Sequence, residues 1–287
     1  MVKNGQEIRS LCYAPSAATP LGLEVLTFDQ LRTMPVAHGQ VVRGDFHVLA
    51  HCTTGTGRLT VDFVTRDLVP GTVAWVRPGW THRWDDITTV DGHLMLCRPE
   101  LVPAAAVGHA PAPSTPPLSP ADLLTDLAFE HLVREYAAVA PVESILRHLV
   151  SALTLRVAAA LPAPAAATDL FDRFARLTER YHTETREVSW YAAQLGYSPR
   201  TLTRAVHLTT GRSAKQYLND RVALEAKRLL AQAPPLPTAT CARRLGFEDA
   251  ANFTKFFRTH TGTTPTRFRR ANTNGVVEEP VEEPVLV

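Results

Sequence analysis

Apolar positions change their period as this chain proceeds. Between Leu21 and Glu100 they fall in short runs rich in β-branched and aromatic side chains, such as Phe46-His-Val-Leu-Ala-His51, Gly57-Arg-Leu-Thr-Val-Asp-Phe63, Thr72-Val-Ala-Trp-Val76 and His93-Leu-Met-Leu-Cys97. Gly, Pro, Asp and Thr separate the runs, and several short strands at that spacing predict a sandwich or barrel. Leu101 to Pro120 is dominated by Ala, Pro and Ser, a composition that predicts an extended linker or surface loop rather than a helix. The helical period follows. Ala121 to Ala138 reads as one helix; Val142, Ile145, Leu146, Leu149, Val150, Leu153 and Val157 form the apolar stripe of a second, with Glu143, Arg147, Ser151 and Thr154 opposite. A short Pro/Ala stretch then precedes a long, helically patterned region that begins at Asp169. Gly275 to Val287 repeats Val-Glu-Glu-Pro with neither period and reads as a disordered acidic tail. The pattern divides the chain into an all-β domain (1–100), a connector (101–120), a helical pair (121–160), a linker (161–168), an all-α domain (169–272) and a tail (273–287).

The all-α region contains a repeat. Val188-Ser-Trp-Tyr-Ala-Ala-Gln-Leu-Gly-Tyr197 returns 50 residues later as Thr238-Ala-Thr-Cys-Ala-Arg-Arg-Leu-Gly-Phe247. Val188, Tyr191, Ala192 and Leu195 match Thr238, Cys241, Ala242 and Leu245 at the i, i+3, i+4, i+7 positions of one buried helix face. Gly196 and Gly246 then stop that helix, because glycine takes the left-handed conformation that closes a last turn. Each copy continues into a basic amphipathic helix, the second after one extra turn residue. Short helix, turn with glycine, second helix: the unit is a helix-turn-helix used twice.

The second helix of each unit is the predicted DNA reader. Ser198 caps the first and Pro199 takes its first position. Leu202, Ala205 and Val206 face inward, leaving Arg200, Thr201, Thr203 and Arg204 outward. In the second copy Phe253, Phe256 and Phe257 face inward, and Ala250, Ala251, Asn252, Thr254, Lys255 and Arg258 lie on or beside the outer face. Arg suits a guanine edge, Asn an adenine edge, and Thr or Ala methyls the thymine methyl. Charge agrees: residues 169–272 hold 18 Lys/Arg against 9 Asp/Glu, whereas the rest of the chain holds 12 against 19. The basic region is the one suited to a polyanion.

These residues carry a family resemblance. Ala192-Ala-Gln-Leu-Gly-Tyr-Ser-Pro-Arg-Thr-Leu-Thr-Arg204, Tyr217-Leu-Asn-Asp-Arg-Val-Ala-Leu-Glu-Ala-Lys-Arg-Leu-Leu230, Leu245-Gly-Phe-Glu-Asp-Ala-Ala-Asn-Phe-Thr-Lys-Phe-Phe257 and Thr261-Gly-Thr-Thr-Pro-Thr-Arg-Phe-Arg269 resemble the C-terminal DNA-binding domain of the AraC family of bacterial transcription regulators. The resemblance implies two helix-turn-helix units joined by one long helix, with recognition helices in successive major grooves about 34 Å apart on double-stranded DNA. It places base-facing positions on Arg200, Thr203 and Arg204, then on Ala250, Ala251, Thr254 and Lys255. Ala250 and Ala251 stand where relatives often carry polar readers, so that half is expected to read methyls and shape. Thr238 and Cys241 replace the usual large aliphatics and are expected to weaken the second unit.

Gly71-Thr-Val-Ala-Trp-Val-Arg-Pro-Gly-Trp-Thr-His82 resembles the second cupin motif, with Arg77 where that motif has Pro. It fits the jelly-roll sensor placed ahead of the DNA-binding domain in many AraC-type regulators. The fold expectation is a multidomain chain: an N-terminal cupin or jelly-roll barrel, a helical connector and a double helix-turn-helix. The resemblance also implies a homodimer formed through the helical pair at 121–160, and contact with RNA polymerase if the protein activates; packing of that pair on its own barrel is the alternative.

The chemistry of the β-domain points to binding rather than catalysis. His47 and His51 share a strand face and His82 can approach them, but the His-x-His pair and following Glu of a cupin metal centre are absent, so no metal, cofactor or catalytic residue is assigned. His47, Trp75, Arg77, Trp80 and His82, with Trp84, are instead expected to line a small-molecule effector pocket in the barrel interior. Two alternatives remain: a regulator whose barrel only dimerises, and a cupin metalloenzyme with an appended helical module. Cys12, Cys52, Cys97 and Cys241 lack C-x-x-C spacing and read as reduced cytosolic thiols, with a Cys52/Cys97 redox pair as the sharper option. No apolar run is long enough to span a bilayer and no signal peptide is recognisable, so the expected location is cytoplasmic, with no membrane contact.

Overall fold

The structure is a computed structural model that describes residues 9–11, 21–34, 39–107, 118–120, 122–160, 169–231 and 236–273. The strands are β1 (Arg9–Leu11), β2 (Leu23–Thr27), β3 (Val42–Gly44), β4 (His47–Thr54), β5 (Gly57–Val61), β6 (Val64–Leu68), β7 (Thr72–Val76), β8 (Thr81–Asp86), β9 (Asp91–Cys97) and β10 (Leu118–Pro120). They form two five-stranded sheets, ordered β1-β3-β8-β5-β6 and β10-β7-β4-β9-β2. Every pairing among the described residues is antiparallel except β1 with β3. Between β2 and β3 sits α1 (Phe28–Thr33), started by a capping box in which Thr27 and Gln30 exchange side-chain and backbone hydrogen bonds.

Alternation along β4 decides the layers. Val48, Ala50 and Cys52 point between the sheets and pack with Leu59, Val61, Val76, Trp84 and Leu94. Leu49 points the other way, with Val73, Trp75 and Met95, into a second core. That core is covered by α3 (Leu123–Tyr136) and α4 (Glu143–Ala160), whose Phe129, Leu132, Leu146, Val150, Leu153 and Val157 are buried on the sheet. Each such side chain is worth roughly 1.5–3 kcal/mol in transfer terms. Most of the apolar stripe of α4, from Leu146 to Val157, is therefore satisfied by its own sheet. What remains exposed on these two helices is Val142 and Ile145 at the start of α4, Leu155 farther along it, and Leu123, Leu124 and Leu127 of α3.

Part of the connector is folded, contrary to its composition. Leu101, Val102 and Ala106 are buried in the core shared with α4, Ala106 in the short helix α2 (Ala104–Val107), and β10 adds an edge strand beside β7. An edge accepts Pro120 because one side of the strand needs no donor. Residues 108–117, the linker at 161–168, Cys12 and the tail beyond Thr273 lie outside the described residues.

The C-terminal domain comprises α5 (Asp169–Tyr181), α6 (Val188–Leu195), α7 (Pro199–Thr210), α8 (Ala214–Leu230), α9 (Thr238–Arg244), α10 (Ala250–Thr261) and α11 (Pro265–Thr273). Helix α8 divides its apolar residues between two cores. Ala214, Tyr217 and Leu218 join Phe171, Phe174, Tyr191, Leu195, Leu202 and Val206; Val222, Ala226, Leu229 and Leu230 join Cys241, Leu245, Phe247, Phe253 and Phe257. The small Cys241 is fully buried, and the phenylalanines fill the space around it. The loss of aliphatic bulk anticipated in the second unit is thus offset by aromatic volume.

The two domains meet through charge. The β5–β6 hairpin turns on Asp62 and Phe63, both at positive φ (46° and 70°), a turn that normally calls for Asn and Gly. Its tip reaches α8 and α11: Arg228 Nε donates to Asp62 Oδ1 at 2.9 Å, Nη2 pairs with Oδ2, and the Phe63 ring meets Phe268 at 5.4 Å. Arg228 also donates to Glu225 (3.2 Å), which receives Arg221 (3.1 Å) and, from the β-domain, Arg43 (2.7 Å). Burial alone would raise the Glu225 carboxyl, but Arg221, Arg228 and Arg43 outweigh it and hold the group at about 2.

Candidate nucleic-acid interface and effector cavity

The first predicted reader is α7. Ser198 caps it, accepting from the Thr201 amide at 3.1 Å and sharing a hydroxyl contact with Thr201 at 2.9 Å. Leu202, Ala205 and Val206 are buried; Arg200, Thr201 and Arg204 are exposed and Thr203 is half-buried. The second predicted reader, α10, is capped by Asp249, whose carboxylate accepts from the Asn252 backbone N–H and from Asn252 Nδ2, both at 2.7 Å. Asn252 is therefore engaged with its own cap, a partner not foreseen from the sequence. Ala251, Lys255 and Arg258 are exposed, Ala250 and Thr254 are half-buried, and the Thr254 hydroxyl donates back to the Ala250 carbonyl at 2.8 Å. All eleven predicted reader positions, Ser198 to Arg204 and Ala250 to Arg258, thus lie at the start of or along the outer sides of α7 and α10.

The two units brace one another beyond α8. Arg186, in the loop before α6, lies over the ring of Phe247 at 3.7 Å and near Phe256 at 5.5 Å, a cation–π contact with the turn of the second unit. Gly246 lies so close to this loop that an added Cβ would sit 2.8 Å from the Thr183 carbonyl oxygen.

The predicted effector residues do not share one barrel interior. Strand alternation sends them to different faces. His82 and Trp84 point between the sheets, in edge-to-face contact at 5.9 Å. Trp75 points outward into the core beneath α3 and α4, where its indole N–H donates to His47 Nδ1 at 3.1 Å. His47, Arg77 and Trp80 line a cavity of about 500 Å³ between the β-domain and the helices α5 and α8 of the C-terminal domain. Arg77 lies over the Trp75 ring at 4.6 Å, and its Nη1 donates to the Val107 carbonyl at 2.8 Å. Its Nε and Nη2 are buried with no hydrogen-bond partner among the described residues. Burial lowers the Arg77 guanidinium to about 10, so it stays charged at neutral pH.

The histidines are also dispersed with respect to metal binding. His51 pairs with Asp126 of α3 at 2.9 Å and stacks on Phe129, while His47 serves Trp75 and His82 sits in the other sheet. Among the described residues no group of three or more His, Cys, Asp or Glu is placed to hold a metal ion. Cys52 and Cys97 belong to cores on opposite faces of the same sheet, and burial pushes the Cys97 thiol up to about 12; neither feature suits a redox pair. No helix among the described residues is long and apolar enough to cross a membrane.

Comparison with known proteins gives two matches to family models: an AraC-like ligand binding domain over residues 38–172 and a helix-turn-helix domain over residues 191–271. No curated protein matches significantly. Among solved structures, the C-terminal domain of AraT, a response regulator from Geobacillus stearothermophilus, is 20% identical, with a TM-score of 0.35, and the match covers 42% of this chain and 97% of that one. Unsaturated fatty acid bound ToxT from Vibrio cholerae is 11% identical, with a TM-score of 0.42 and coverage of 90% and 97%. ToxT from Vibrio cholerae O395 is 8% identical, with a TM-score of 0.43 and coverage of 89% and 99%.

Proposed function

Because the chain belongs to the AraC family, with an AraC-like ligand binding domain ahead of its helix-turn-helix domain, we propose that it is a one-component transcription regulator whose α7 and α10 read two segments of one operator under the control of a small molecule. The observation that carries this reading is the pair of capped, outward-facing basic helices built on opposite ends of α8. Phosphate contacts would fall to the helix starts and flanking arginines, and base contacts to Arg200, Thr203, Arg204, Thr254 and Lys255. Arg200, Arg204, Lys255 and Arg258 are exposed with the two domains docked, so that arrangement leaves them accessible.

Control follows by linkage. An effector that binds one arrangement of sensor and DNA-binding domain better than another shifts operator affinity by that difference and no more. The protein would act without catalysis, as a homodimer in the cytoplasm, and would touch RNA polymerase where it activates. The exposed leucines of α3 and the start of α4 are the surface left for the second copy, since most of the stripe predicted for that purpose is spent on the sheet.

The test uses the readers. Arg204→Ala and Lys255→Ala are each expected to weaken specific binding by roughly 1–3 kcal/mol and to relax preference at one operator position. Operator affinity unchanged in both variants, measured on fragments selected from the genome by the parent protein, would reject the assignment.

A further inference from the structure

We infer that Arg186 is a spacing determinant: reaching from the first helix-turn-helix unit to Phe247 and Phe256 of the second, it sets the phase of α10 against α7 and so the separation of operator segments that the protein accepts. The inference rests on the reading that α7 and α10 bind one operator, and it gives Arg186 a positioning role rather than a reading one. Helix α8 by itself leaves that phase soft. It seats Tyr217 and Leu218 in the first core and Val222, Ala226 and Leu229 in the second, which fixes the distance between the units. A single rod resists tilt and twist of its two ends only through its own stiffness, and helices bend. A second contact away from the rod's axis removes that freedom, and the loop between α5 and α6 supplies it.

That loop is tied to the first unit. The Thr185 carbonyl accepts from the hydroxyl of Tyr191, a buried residue of the first core, at 3.1 Å, and the Arg186 carbonyl accepts from Lys215 Nζ of α8 at 2.7 Å. The Glu187 amide donates to the Thr185 hydroxyl at 3.2 Å. From this anchored backbone the half-buried Arg186 side chain crosses to the second unit, 3.7 Å from the centre of the Phe247 ring and 5.5 Å from that of Phe256. Phe247 lies in the turn that aims α10, and Phe256 belongs to α10 itself, beside Lys255. The two rings are 5.0 Å apart, and Phe247 also meets Phe253 at 5.3 Å, so the turn and the reader move as one body. A guanidinium is drawn to a ring face by charge, and its flat shape restricts the approach more than an ammonium does. On the DNA side, one base pair added between the segments moves the far one by about 3.4 Å and turns it by about 35°. A fixed pair of readers then loses base contacts at one segment, whereas a loose pair follows the duplex.

The full-length protein is titrated with an operator selected from genomic fragments, and with the same operator carrying one base pair inserted or deleted between its two segments. The parent is expected to prefer the selected spacing by about tenfold or more. Arg186→Met, which keeps an unbranched stem and removes the guanidinium, should reduce that preference to about threefold or less. Arg186→Lys should restore part of it, and Phe256→Leu should relax it in the same direction as Arg186→Met. The readout is the ratio of affinities between spacings, which a loss of stability alone does not move. Uniform weakening at all three spacings in Arg186→Met, with the parent's ratio kept, would reduce Arg186 to a stabilising contact and overturn the proposal. If Arg186→Met does not melt cooperatively, the ratio in Phe256→Leu decides in the same way. A parent indifferent to spacing would overturn the idea without any variant. Failure of the regulator reading would appear separately, as no operator selected by the parent or as affinity untouched by both Arg204→Ala and Lys255→Ala.

Discussion

His47 and His82 show how single buried groups tie this sensor to pH. Burial, aided by the charge of Arg77, lowers His47 from 6.5 to about 3; burial lowers His82 to about 4, against a smaller opposing pull from Asp62. In the unfolded chain both would take up protons near 6.5. As pH falls from about 6.5 toward 4, the unfolded state binds up to two more protons than the folded state, and stability drops by up to about 1.4 kcal/mol per pH unit for each imidazole. Above 6.5 both states are neutral at these sites and the effect is absent. Urea unfolding followed by tryptophan fluorescence at pH 7, 6 and 5 should show this slope, and His82→Gln should make it shallower. A flat profile between pH 6 and 5 would mean that these imidazoles are not buried in neutral form.

At the scale of elements, the glycines that end α6 and α9 make a controlled pair. Gly196 (φ 78°) has open space around its missing Cβ, whereas Gly246 (φ 69°) has the Thr183 carbonyl in the way. Gly196→Ala should therefore cost only the left-handed backbone penalty, about 1–2 kcal/mol. Gly246→Ala should cost more and disturb the loop that carries Arg186, as judged by thermal melts and by weaker operator binding. Equal costs would argue against that close approach. The repeat, its register and both recognition helices were legible in the sequence because helical periodicity is local: Leu202 and Val206, or Phe253 and Phe257, declare their face within one element. The connector was not. Leu101, Val102 and Ala106 look like linker until a sheet is there to receive them, and the stripe on α4 gives no sign of which partner covers it. The effector candidates were not legible as a group: Trp75 points out of the sandwich and His82 points between its sheets, which depends on the pairing of strands distant in sequence.

For the whole molecule, the decisive contacts join residues that no local pattern connects. Asp62 and Arg228 are 166 positions apart, and each alone reads as an ordinary solvated charge. Asp62→Asn keeps an acceptor for the Thr81 amide, which now donates to Asp62 at 3.0 Å, but it leaves Arg228 short of a buried counter-charge. Breaking one member of such a pair costs roughly 3–5 kcal/mol if the site stays buried, so the domains should part instead. The expected signs are a larger radius of gyration in solution scattering and separate melting of sensor and DNA-binding domain. A single transition at the parent temperature would place the hold between the domains elsewhere. Helix α8 meanwhile serves as a common spine, seated in both helix-turn-helix cores and clasped along its flank by the sensor. A message arriving at that flank cannot address one reader and spare the other. The two operator segments should be gripped or released in step, and promoters that differ only in the quality of one segment should share the same response curve, scaled but not reshaped.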